Sequence, residues 1–443
     1  MSHSLSKSLS PIQLWGIVVG MVISGMYFGW NYALQYTSPL GMIIALTVVT
    51  IFYITFMFSY AELSTAIPSA GGAMEFAKRT MGPFSGFITG FAVFLEFLFA
   101  VPAIALSIGA YINFIIPTIP AVVAAVIMYV IFVFVNCLGV KTAASVELFI
   151  TIIAIAGVAI FVGGGVGHIR MTNILTAQPF FGGMKGIFSA IPFAIWFYLA
   201  AEGGAMAAEE VKNPKRDIPI GFNLGIISLA VMAVLTLLVT TGISSVTKIN
   251  NVDSPLPTAL ALVYGAQSFF SKLLSFIGLF GLVASLHGII IGYSRQAFAM
   301  AREGFFPYFL SNTSKKHKTP VWAVILPSLI GLIFVLTRAT ATIIVISCIG
   351  AVILYIMSMI SFFMLRSKEP NLERPYRVMH HSLPVIALSI AFVFLAAVTY
   401  VNFSTMLWVL LTFIAAAVFY LAFSKGHMKK VAELKLKLNA EEV

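Results

Sequence analysis

Apolar runs of about 20 residues, the length a helix needs to cross a hydrocarbon core roughly 30 Å thick, recur from one end of this chain to the other. Each run must satisfy its backbone hydrogen bonds internally, and a helix does this within one segment. The short alternating segments of a β-barrel are missing from the pattern. The expectation is an all-α integral membrane protein with 12 transmembrane helices, at 12–36, 40–66, 84–113, 120–138, 146–167, 186–209, 219–245, 273–301, 320–337, 340–365, 381–402 and 404–424. Composition agrees, because only 9% of the 443 residues are charged and 60% are hydrophobic. A soluble domain carries about 25% charged residues. The opening "MSHSLSKSLSPIQ" lacks the pattern of a cleaved signal, so the first helix is expected to stay.

The formal net charge of +11 sits in short segments between apolar runs, which argues for topology and against nucleic acid. An even number of spans puts both termini on one side. Placing the termini in the cytoplasm gathers Lys7, Lys78, Arg79, Lys141, Lys212, Lys215, Arg216, Arg295, Arg302, Lys315, Lys316, Lys318, Arg366, Lys368, Arg374, Arg377 and the tail lysines inside. Outside remain Arg170, Lys185, Lys248, Lys272 and Arg338. The positive-inside rule selects this orientation in a cell membrane. Cys137 and Cys348 lie in or beside apolar spans and read as inert buried thiols. The outer segment 247–272 is expected to fold over the outer mouth, and the tail to lie near anionic lipid.

Two spans break the rules of a membrane helix. The first holds Gly20, Ser24, Gly25 and Gly29, and the sixth holds Pro192, Glu202, Gly203 and Gly204. Glycine in a helix interior costs roughly 1 kcal/mol relative to alanine. Interrupted helices at corresponding places in two halves of a chain point to an inverted-repeat transporter with its substrate site between the breaks at mid-membrane. Freed N–H and C=O groups are tolerated there because they line a cavity or meet a ligand. Half-helix ends attract a carboxylate or hydroxyl, and freed carbonyls accept an ammonium. The expected organisation is a cytoplasmic N-terminus (1–11), a first repeat (12–167), a second repeat (186–365), two further spans (381–424) and a cytoplasmic tail (425–443).

The segments "SYAELSTAIPSAGGAMEFAKRTMGPFSGFITG" (59–90), "EEVKNPKRDIP" after the sixth span, "GYSRQAFAMAREGFFPYFL" (292–310) and "SKEPNLERPYRV" (367–378) resemble the amino acid, polyamine and organocation permease superfamily. The resemblance covers nearly the whole chain. Within it, "ISGMYFGWNYAL", "PFAIWFYLAAEGGAMAAEE" and "ASLHGIIIGYSRQ" are most similar to the ethanolamine permease branch. The resemblance implies a five-plus-five inverted repeat of the LeuT type with two further helices, alternating access, and a small amino-bearing solute without a cofactor. Where the ethanolamine branch often carries an acidic residue, this chain has Met26, which leaves room for a zwitterionic amino acid.

Charges at mid-membrane are expensive and so mark function by default. Glu202 adjoins the sixth-span break, where the family places an acidic residue near substrate and gate, and is the candidate for coupling or gating; the bland alternative is an anchor for freed backbone. Glu96 is a candidate counter-ion for a substrate ammonium, or else a protonated acid bonded to a neighbouring helix. Trp196 matches the family's aromatic lid position. Tyr27, Trp30 and Tyr198 are candidates for an aromatic cage, since a ring face attracts an ammonium by roughly 0.5–2 kcal/mol. Ser24, Gly25, Met26, Leu199 and Ala200 complete the expected substrate surface at the two breaks. Ser285 stands where sodium-coupled relatives place a hydroxyl near the ion. Proton-coupled relatives can use a fifth-span lysine, which "VELFITIIAIAGVAIF" lacks, leaving coupling through Glu202, sodium coupling and exchange. Glu147, Glu62 and Glu75 read as structural, the last two pairing with loop cations at the inner gate. His287 reads as a satisfied core histidine.

Rival functions find less support. No metal-spaced acid and histidine cluster, Gly-x-Ser-x-Gly elbow or phosphate loop suggests an enzyme. "GGGVG" (163–167) reads as a flexible outer turn. The segments outside the spans are too short for a sensor's signalling domain, and no charge ring or filter suggests a channel.

Overall fold

The computed structural model describes residues 8–139, 144–314, 316–317 and 319–428. Lys7, Lys141, Lys315, Lys318 and the tail from 429 lie outside them. The helices that matter below are α1 (Pro11–Val22), α2 (Pro39–Ala66), α3 (Pro83–Ile115), α4 (Ala121–Cys137), α5 (Ala144–Val166), α6 (Gly183–Trp196), α7 (Pro214–Ile243), α8 (Phe269–Arg302), α9 (Val321–Thr337), α10 (Thr340–Lys368), α11 (Ser382–Val401) and α12 (Phe403–Phe419). Among the described residues, ten helical stretches are long and apolar enough to cross a membrane. The helices at the expected fourth and ninth spans, α4 and α9, are apolar but only 17 residues long, at the short limit of a bilayer-crossing helix.

Helix starts follow local chemistry. Ser10 caps α1 through a reciprocal pair with Gln13, and Pro11 occupies the first turn where its missing N–H costs nothing. Ser38 caps α2 by accepting from the Gly41 amide, and Pro39 again occupies the first turn. α3 is the most enclosed of the long helices and packs most extensively against α8 and α10. α1 lies against α7 and α5, and α12 is peripheral.

The glycine run 163–167 departs from expectation. Gly163, Gly164 and Gly165 belong to the last turns of α5 rather than to a loose turn. Side chains explain why: a Cβ on Gly164 would stand 2.3 Å from Phe270 and one on Gly165 2.4 Å from Val239. Small residues there let α8 and α7 approach closely.

The segment 247–272 does fold over one end of the broken first span. Asn31 donates to the carbonyls of Ile249 (2.6 Å) and Val252 (2.9 Å), Tyr32 donates to Asp253 (2.6 Å), and Gln35 donates to Asn250 O (2.9 Å). At the other face, Glu62 at the end of α2 accepts from Arg366 (2.9 and 2.7 Å) and from the Val378 amide (2.8 Å), with Arg374 at 3.7 Å. Glu75 pairs with Lys78 (3.5 Å), which also meets Glu303 (2.5 Å). Both glutamates therefore meet cations, as the sequence suggests. Glu62 and Arg374 are almost fully enclosed, so Glu62→Gln leaves a buried guanidinium without its counter-charge. The expected loss is about 3 kcal/mol, read as a lowered unfolding midpoint of the detergent-solubilised protein.

Candidate functional site at the crossing of two broken helices

The first break follows α1. A single turn at Ser24–Tyr27 leads to Phe28 in extended backbone and to Gly29 at φ 93°, and a 3-10 helix resumes at Trp30–Gln35. Gly29 is required twice over. Its φ is in the region that favours glycine, and a Cβ there would stand 2.3 Å from the Trp196 indole nitrogen. The Gly29 N–H is taken up by the Asn31 side chain at 3.0 Å.

The second break follows α6. Residues 197–199 turn out of the helix, Ala200 sits at φ 73°, and a 3-10 helix runs Ala201–Glu210. An alanine at positive φ is held against an intrinsic cost. Its N–H donates to Glu96 Oε1 at 3.2 Å, so a carboxyl from α3 satisfies a donor the break has freed.

The two breaks touch backbone to backbone. A Cβ on Gly25 would stand 2.3 Å from the Trp196 carbonyl oxygen and 3.1 Å from Phe197 Cα. Aromatic rings close around the crossing: Phe28 meets Trp196 edge-on at 5.4 Å, and Trp30 stacks on Phe197 at 5.4 Å.

Beside this crossing lie Glu96 and Glu202, both buried and each within electrostatic reach of the other. Glu202 Oε2 accepts from Tyr355 at 3.4 Å, and the Tyr355 and Tyr53 hydroxyls are 2.6 Å apart. The Tyr53 ring lies 4.9 Å from that of Tyr198, whose hydroxyl is 2.6 Å from Thr50. Ser347 donates to the Glu96 carbonyl at 2.6 Å. Among the described residues no donor meets Glu96 Oε2 or Glu202 Oε1 and no acceptor meets Trp196 Nε1, while the two carboxyls lie within hydrogen-bonding reach of each other. Buried acceptors of this kind carry a desolvation cost of about 1–3 kcal/mol each, more when charged. A proton or a cation with several N–H donors is the group that removes it.

The structure thus brings Gly25, Glu96, Trp196, Tyr198, Ala200 and Glu202 into one neighbourhood. Leu199 is buried next to Ala200, and Met26 is buried with its carbonyl accepting from Trp30 at 3.3 Å. Tyr27 stands apart from this group. Its ring fills the space over Gly157 of α5 and Gly278 and Gly281 of α8, and its hydroxyl donates to Ala154 O at 2.6 Å. Ser285 donates to Gly20 O (2.8 Å) and accepts from Ser24 N–H (3.1 Å), pinning the first span to α8 where α1 ends. His287 lies 3.0 Å from the Asn136 amide, facing α4. Sequence reasoning passed over Tyr53, Tyr355 and Ser347, because tyrosine and serine in apolar spans have too many ordinary uses to signal a site.

The family profile described as amino acid permease matches residues 13–433. The chain belongs to the amino acid permease family. The permease is 28% identical to an uncharacterized transporter of Rhizobium meliloti (strain 1021), covering 87% of this chain and 85% of the relative. It is 25% identical to the branched-chain amino acid permease BcaP of Bacillus subtilis (strain 168), with 96% and 95% covered, and 25% identical to the methylthioribose transporter of the same organism, also with 96% and 95% covered. The permease is accordingly a multi-pass membrane transporter rather than an enzyme.

Proposed function

We propose that this permease carries a small amino-bearing solute, a neutral amino acid or an ethanolamine-like amine, across the cell membrane by alternating access. The observation that supports this most is the pair of buried carboxyls within hydrogen-bonding reach of each other, one oxygen of each without a donor among the described residues, set where two broken helices cross. An ammonium offers three donors to such acceptors, and the neighbouring rings of Tyr53, Tyr198 and Tyr355 suit a cation on an amphipathic solute. On this reading twelve spans make a five-plus-five inverted repeat and two extra helices, with both termini cytoplasmic. The backbone at Gly25 and Met26 faces the solute's other polar end, and Trp196 covers it. Glu202, at the start of the segment after the break, exchanges the coupling proton, while Glu96 holds the Ala200 amide and balances the ammonium. Ser285 is the corresponding candidate for a sodium-coupled scheme, although its hydroxyl already bridges two backbone groups.

The test is uptake into proteoliposomes of labelled ethanolamine, glycine, alanine and leucine, under an inward proton gradient with and without sodium. Saturable, gradient-dependent uptake of one of these is the expected result. Vesicles that take up none of them above protein-free controls would remove the amino-bearing solute from consideration. Inhibition of ethanolamine uptake by amino acids, or its absence, separates a shared pocket from an ethanolamine branch that keeps its preference despite Met26.

A further inference from the structure

A second polar space lies on the face of the molecule that carries the N-terminal segment. It is a cavity of about 280 Å³ bordered by Met21, Glu147, Gly203, Glu210, Gly288 and Arg295. Segment 8–12 closes one edge: Ser8 and Leu9 amides donate to Glu210 O (2.8 and 2.9 Å), and the Lys212 amide donates to Leu9 O (2.9 Å). The glycines make room for Glu147. A Cβ on Gly20 would stand 3.8 Å from Glu147 Oε1, and one on Gly288 4.0 Å from it.

Glu147 has no hydrogen bond or ion pair with any described residue, and among these residues the opposite charge that acts on it is Arg295. Arg295 does not close onto it. Its guanidinium turns to Glu210 through one long contact of 3.4 Å and stays partly open to the cavity. The space therefore presents a carboxylate without a partner among the described residues on α5 and a half-engaged guanidinium on α8. The carboxyl pair at the crossing lies one side-chain layer away: a Cβ on Gly203 would meet Met21 at 2.6 Å and Phe97 at 3.3 Å, and Gly203 and Phe97 adjoin Glu202 and Glu96 in the chain.

We infer that this cavity is a second binding site for an α-amino acid, its ammonium on Glu147 and its carboxylate on Arg295. The inference rests on the transport reading above and narrows it. Charge-assisted hydrogen bonds at both ends of a zwitterion select a solute that carries both groups, and an amine without a carboxylate engages only one of them. Met21 and Phe97 form the partition that separates this site from the crossing of the breaks.

Equilibrium binding to the purified full-length protein tests it, with labelled glycine, alanine, leucine and ethanolamine as separate probes. The expected isotherm for an amino acid has two components, roughly two molecules per chain, and that for ethanolamine has one. Glu147→Gln removes a charged partner and weakens one component by at least roughly tenfold, and Arg295→Gln does the same for the amino acid. Gly288→Leu serves as an independent check, since it fills the cavity while leaving both charged side chains in the chain. A charge pair that only stabilises the fold would leave the number of components unchanged. The inference is overturned if Glu147→Gln and Gly288→Leu both bind as the unmodified protein does, or if the unmodified protein binds an amino acid in a single component. Absence of any amino acid binding would sink the amino acid reading as well, and so stands apart from those outcomes.

Discussion

Gly25→Ala is expected to abolish uptake and to reduce the amount of folded protein recovered. The added carbon would stand 2.3 Å from a carbonyl oxygen and 3.1 Å from a Cα of the other broken helix. Both obstacles are backbone, so no side chain can swing aside. The breaks have to separate, at a cost of about 1–3 kcal/mol for a single overpacked methyl, and the separation changes the geometry in which Glu96 meets the Ala200 amide. Gly163→Ala is the control: nothing lies within 4 Å of a Cβ there and the site is helical, so neither yield nor transport should fall. Size-exclusion profiles and proteoliposome uptake measured together decide the matter. Wild-type transport in Gly25→Ala would mean that the two breaks do not have to cross this closely.

The second large effect concerns the paired carboxyls, where three variants separate three roles. Glu202→Gln keeps the size and one acceptor but carries no exchangeable charge, so uptake driven by a proton gradient should collapse to the level of a protein with no gradient, while solute exchange across the membrane persists. Glu96→Gln retains an oxygen for the Ala200 N–H but loses the charge, so binding of the solute should weaken by roughly tenfold or more with the fold intact. Glu96→Ala additionally orphans that N–H, and its unfolding midpoint should fall by an amount corresponding to about 1–3 kcal/mol. Counterflow and thermal-shift measurements on the same preparations separate these outcomes. Undiminished gradient-driven uptake in Glu202→Gln would show that the proton, if one is carried, travels elsewhere.

Much of this arrangement is legible in the chain itself, for physical reasons. An apolar run long enough to cross a bilayer can hardly be anything but a helix, and a cluster of glycines or a carboxylate inside one has few inexpensive explanations. That is why the two breaks, Glu96 and Glu202 stand out before any coordinates. Ala200 does not stand out, because alanine carries no mark of the left-handed backbone it adopts here. Tyr53 and Tyr355 are 302 positions apart, and only the packing of α2 beside α10 brings their hydroxyls to 2.6 Å. Tyr27 is the opposite case: its place beside the break suggests a ligand contact, and its ring packs into the seam between α5 and α8, which its sequence neighbours do not reveal. The lengths of α4 and α9 are also hard to read, since where an apolar run stops being helical depends on neighbours that periodicity does not reveal.

The hydrogen bonds from Asn31, Tyr32 and Gln35 to segment 249–253 set an energy scale as well as a shape. Four such bonds at about 1 kcal/mol net each would hold the 3-10 segment and its covering loop together by about 4 kcal/mol, a ratio of roughly a thousand to one. A conformer with that end undocked is then a rare member of the resting ensemble. A solute needs only a comparable preference for it, spread over a few contacts, to make it the common one.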